Sequence, residues 1–120
     1  MTPEEFFQGH PFAIKVFKKV QTALESLGPV EVRTTKSQVA FRRGRGFAYL
    51  WRPGQYLRNP QAAVVLTIDL DHKVESSRFK EVTHSSGKRW IHHLEIQELG
   101  DIDDEVLGWL EESAEKATGS

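Results

Sequence analysis

Apolar and polar residues alternate with period two through Val39, Phe41 and Arg43, and again through Phe47, Tyr49 and Trp51. Gly44-Arg45-Gly46 separates the two runs. Alternation on both sides of a glycine-flanked turn predicts a β-hairpin over residues 35–52. Further strand-like runs are predicted at 30–34, 64–70, 79–83 and 90–96, with the hairpin strands at 38–43 and 47–52. Ser85-Ser86-Gly87 reads as a hairpin turn, and Pro53-Gly54 with Asn59-Pro60 bounds a loop of about ten residues.

Helical spacing frames this strand-rich middle. Thr2-Pro3-Glu4-Glu5 has the form of a helix start, with Thr2 as cap, Pro3 in the first turn and Glu5 placed to close a capping box. Ala13, Val16, Phe17, Val20, Leu24 and Leu27 recur every three or four residues, predicting an amphipathic helix over 11–27 stopped by Gly28-Pro29. Ile102, Val106, Trp109 and Leu110 mark a last helix over 102–116, with Asp101 expected as its cap. Grouped strands without crossover helices predict an α+β fold. The expectation is a mostly antiparallel sheet of five or six strands, with two N-terminal helices and one C-terminal helix packed on it. Most of the hairpin aromatics are expected in the core, under the helices.

A length of 120 residues predicts one domain, 1–120. The absence of cysteine excludes disulfides, thiolate metal sites and cysteine nucleophiles. No apolar run approaches the roughly 18 residues of a membrane helix, and the acidic start MTPEEFF lacks the pattern of a secretory signal. A cytoplasmic protein without membrane contact is expected. The net charge of −1 conceals two poles. Residues 31–60 carry seven basic groups against Glu31, and residues 94–120 carry nine acidic groups against Lys116. Either the poles steer charged partners, or they lie together and neutralise each other.

The segments MTPEEFF (1–7), VEVRTTKSQVAFRR (30–43), GFAYLW (46–51) and HHLEIQELGDIDDEV (92–106) together resemble the bacterial family catalogued as domain of unknown function 5655. The resemblance implies a small cytoplasmic protein, or a domain attached to others, including nuclease-like ones. It implies no activity that transfers residue by residue.

Several constellations bear on chemistry. Alternation through 90–96 sets His92 on one face with Trp90, Leu94 and Ile96, and His93 on the other with Ile91 and Glu95. His92 is therefore expected in the core, while either His92 or His93 is a candidate general acid–base if it lines a pocket. His93 and Glu95 supply two metal ligands where zinc needs three or four, so neither metal nor cofactor is expected. Ser37 lacks any nucleophile motif, and the Asp71-His72-Lys73 element lacks an acidic partner for magnesium chemistry. The basic hairpin is the remaining feature. Lys36, Arg42, Arg43, Arg45 and Arg52 are the candidate ligand-binding residues, for an anionic small molecule or an acidic protein surface. Arginines interleaved with aromatics also admit nucleic acid, although a pI near 6.5 is low for a dedicated binder. The expectation is a binding or accessory module, with a histidine enzyme as the alternative.

Overall fold

The computed structural model describes residues 1–118. Strands β1 (Glu31–Thr34), β2 (Val39–Arg43), β3 (Arg45–Trp51), β4 (Val64–Leu70), β5 (Glu81–Ser86) and β6 (Arg89–Ile96) form one sheet in the order β1-β2-β3-β4-β6-β5. Every neighbouring pair is antiparallel. The predicted α+β class and its helix–sheet arrangement hold. The hairpin turns at Gly44, whose φ of +78° suits glycine. β4 lies at the centre and is buried throughout, with Val64, Leu66, Ile68 and Leu70 on one face and Val65, Thr67 and Asp69 on the other.

Three helices cover the first of these faces. Helix α1 (Pro3–Phe6) opens with the predicted Thr2–Glu5 capping box. Helix α2 (Pro11–Glu25) buries Ala13, Val16, Phe17, Val20 and Leu24, and Phe17 stacks on Phe41 of β2 at 5.8 Å. It stops two residues before the predicted end, leaving Leu27 exposed. Helix α3 (Asp104–Thr118) buries Val106, Leu110, Ser113, Ala114 and Ala117. Its cap is Asp103, which accepts from the Val106 N–H at 3.1 Å. Asp101 instead accepts from the Gln97 and Glu98 N–H groups and closes the short 3₁₀ turn before the helix. Among the described residues, no helix is long and apolar enough to cross a membrane.

Two departures from the predicted pattern shape the second face. Strand β5 lies two to three residues later than 79–83, because Phe79 is drawn from the strand into the core beside His92 and Trp109. In the hairpin, Phe41 pairs with Ala48 but Arg42 pairs with Gly46, so Phe47 is the extra residue of a β-bulge. The bulge turns Phe47 into the core, while Tyr49 and Trp51 share the opposite face with Thr67 and Val65. Ser113 of α3 fits the bulge, its Oγ 2.8 Å from the Phe47 carbonyl and 2.6 Å from that of Asp69. The expectation of a mostly buried aromatic set thus holds for Phe41 and Phe47 and fails for Tyr49 and Trp51. Among the described residues all three helices lie on one side of the sheet, and none covers those two rings.

Candidate functional site

The uncovered face carries Tyr49 and Trp51 from β3, Val65 and Thr67 from β4, Ile91, His93 and Glu95 from β6, and Glu81 from β5. The loop after β3 raises one wall. The Gln55 amide donates to the Lys36 carbonyl at 3.0 Å, tying the loop to the turn between β1 and β2. At the loop's other end, the Gln97 amide donates to the Gln61 carbonyl at 2.9 Å. Tyr56 and Leu57 project between these ties and stay 64% and 58% exposed, so apolar surface stands free beside Trp51. Two cavities result, of about 410 and 440 Å³, and Trp51 and His93 line both.

Thr67 organises the centre. Its hydroxyl oxygen accepts from the Trp51 indole Nε1–H at 2.8 Å and lies 2.8 Å from His93 Nδ1. An indole nitrogen only donates, and among the described residues the Thr67 hydroxyl has no other acceptor than His93 Nδ1, so we assign the Thr67 proton to that lone pair. His93 is then the Nε2–H tautomer. Nε2 makes no hydrogen bond among the described residues and is not sealed from solvent. Burial holds this imidazole below the ordinary histidine value, the Glu81 carboxylate opposing the shift, so it is neutral near pH 7. The Trp51 and His93 rings meet edge to face at 6.0 Å, and Tyr56 tilts over Trp51 at 6.2 Å.

His92 has the opposite chemistry. It is fully buried, accepts from the Val74 N–H through Nε2 at 3.0 Å and donates through Nδ1 to the Trp90 carbonyl at 3.0 Å. Both nitrogens are used, and desolvation lowers its pKa against the opposing effect of its backbone hydrogen bonds. Its burial is what the alternation with Leu94 and Ile96 predicts.

The predicted basic residues do not form one cluster. Arg42 lies on the uncovered face and donates to Glu31 at 3.2 Å and to the Gly44 carbonyl at 3.3 Å. Arg43 donates to the Pro29 carbonyl at 2.9 Å, and its buried Nη2 has no partner among the described residues. Arg45 Nη2 donates to the Lys116 carbonyl at 3.5 Å. Arg52 and Lys36 stand at the far end of the hairpin, roughly 20 Å away at 3.3 Å per strand residue. An open recess of about 610 Å³ lies beside Arg42 and Arg43. The acidic segment serves other partners: Arg78 holds Asp103 at 3.0 Å and Glu105 at 2.8 Å, and Glu112 lies 3.8 Å from His72.

Two site residues escape the sequence patterns. Thr67 sits in the run VVLTIDL, where Thr67 and Asp69 are polar positions two apart in an otherwise apolar strand. That spacing is the available sign that the central strand has a second, polar face. Arg89 precedes the apolar run of β6 and lines the larger cavity, with Nε donating to Asp69 at 3.1 Å.

The model of the family described as domain of unknown function (DUF5655) matches residues 4–116. The chain belongs to that family. No curated protein and no solved structure matches it. The family description names no activity, so the functional reading of this DUF5655 chain rests on the geometry of the uncovered face.

Proposed function

We propose that this DUF5655 chain is a binding module for a small organic ligand, seated on the uncovered sheet face with Trp51 and His93 at its centre. One observation carries the reading: His93 stands at the wall common to two cavities with Nδ1 held 2.8 Å from the Thr67 hydroxyl, which leaves Nε2, assigned as the N–H, to face a ligand. Concave, largely apolar surface with a few convergent polar groups is the usual form of a small-molecule site. The tautomer favours recognition over general-base catalysis. A base at Nε2 needs a lone pair there, and this arrangement supplies a donor. A titration of the ¹⁵N-labelled chain with indole and benzimidazole tests the proposal. The expected result is perturbation of the Trp51 indole N–H and of the Ile91 and His93 amides. Shifts confined to other surfaces, or no shifts with either compound, refute it.

The buried, unpartnered Nη2 of Arg43 beside the recess favours a second reading, anion capture at the Arg42–Arg43 end of the hairpin. Inorganic phosphate is the probe, and binding there weakens as NaCl rises. Affinity independent of salt excludes it.

A further inference from the structure

The larger of the two cavities is chemically one-sided. Its aromatic walls are Tyr49, Trp51 and Tyr56, and its polar lining includes Ser37, Arg89 and His93. No carboxylate lines it among the described residues, whereas Glu81 and Glu95 line the smaller cavity beyond Trp51. Arg89 gives only Nε to Asp69, and its two terminal nitrogens make no hydrogen bond among the described residues. Asp69 is also held by Lys116 at 2.8 Å, so Arg89 is not its sole counter-charge. The Tyr49 hydroxyl, likewise without a hydrogen bond among the described residues, is kept protonated by burial and is a donor. Arg89 and His93 are four residues apart on the same face of β6, about 13 Å between Cα atoms at 3.3 Å per residue. Both side chains line the same cavity, so their donor atoms approach it from opposite ends.

From this arrangement we infer that the ligand is a planar aromatic carboxylate bearing a second hydrogen-bond acceptor at the far end of its ring system. The inference rests on the binding reading above and names its ligand class. The carboxylate meets the Arg89 guanidinium and the Tyr49 hydroxyl, the ring packs on Trp51 and Tyr56, and the distal acceptor takes the His93 Nε2–H. Guanidinium–carboxylate hydrogen bonds are the strong, charge-assisted kind, and aromatic walls suit a flat apolar body. This cation comes from β6, outside the arginine-rich hairpin.

The test uses three matched probes: 6-hydroxy-2-naphthoate, its carboxamide, and 2-naphthoate. Dissociation constants and ¹⁵N shift maps are measured for the full chain at low and high NaCl. The hydroxy acid is expected to bind about tenfold tighter than the carboxamide, with the margin shrinking in salt. It is also expected to bind several-fold tighter than 2-naphthoate, and that second margin disappears in His93→Phe. Arg89→Gln should equalise acid and amide, and the ratio in the unaltered chain decides the matter if that variant does not fold. Equal affinity of acid and amide, with both shifting Trp51 and His93, overturns the carboxylate inference and leaves the binding site standing. Failure of all three probes to shift those residues removes the inference, and indole and benzimidazole then decide the site itself.

Discussion

Replacing Thr67 by valine removes one hydroxyl and changes little in shape. Thr67 is buried at 5% exposure, and its oxygen serves the Trp51 indole and the His93 ring at 2.8 Å each. A neutral hydrogen bond contributes about 0.5–1.5 kcal/mol net, so losing two destabilises by about 1–3 kcal/mol. The lower half applies where Trp51 and His93, both partly exposed, regain water. For a chain of this length the thermal midpoint then falls by roughly 5–10 °C. The more specific consequence is at His93, because valine leaves Nδ1 without its donor. ¹⁵N spectra of the imidazole in the unaltered chain should show a proton on Nε2 and a bare Nδ1, and Thr67→Val should give a mixture of tautomers. A proton found on Nδ1 in the unaltered chain refutes the reasoning about where the Thr67 proton points. Identical spectra in the two proteins refute it as well.

Other contacts in the structure have testable consequences. Ser113→Ala removes a fully buried hydroxyl that bridges α3 to the Phe47 bulge and should cost about 1–3 kcal/mol in urea unfolding. At Gly46, an added Cβ would lie 2.5 Å from the Tyr49 hydroxyl, so Gly46→Ala should displace that ring, lower stability by about 1–3 kcal/mol and change the Tyr49 side-chain shifts. His92 and His93 both have pKa values lowered by burial, so the unfolded chain takes up protons first as the pH falls. Stability should therefore decline below about pH 6.5 and level off once the folded imidazoles protonate. Urea midpoints across pH 5–8 should show this slope, and His92→Gln should flatten it.

The architecture was legible because its signals are local. Period-two alternation marked the hairpin and β6, the Thr2–Glu5 pair marked the first helix, and the Leu94–Ile96 alternation put His92 in the core. The side of the sheet left bare was not legible from periodicity, which separates two faces without saying which one a helix will cover. The bulge compounded this, since one extra residue at Phe47 reversed that aromatic relative to Tyr49 and Trp51. Charge counting along the chain could not resolve the two poles in space. The arginines of one strand pair divide between its ends, and the acidic run turns to Arg78, a residue from the loop before β5. The Thr67–His93 contact joins positions 26 apart and depends on the β4–β6 register, which no single segment encodes.

A crystal of the full chain soaked with 6-hydroxy-2-naphthoate tests most directly that the uncovered sheet face is the binding site. The ring is expected against Trp51 and Tyr56, the carboxylate at Arg89 and the hydroxyl at His93 Nε2. Density for the compound at the Arg42–Arg43 recess, with the face around His93 left vacant at saturating probe, would contradict it.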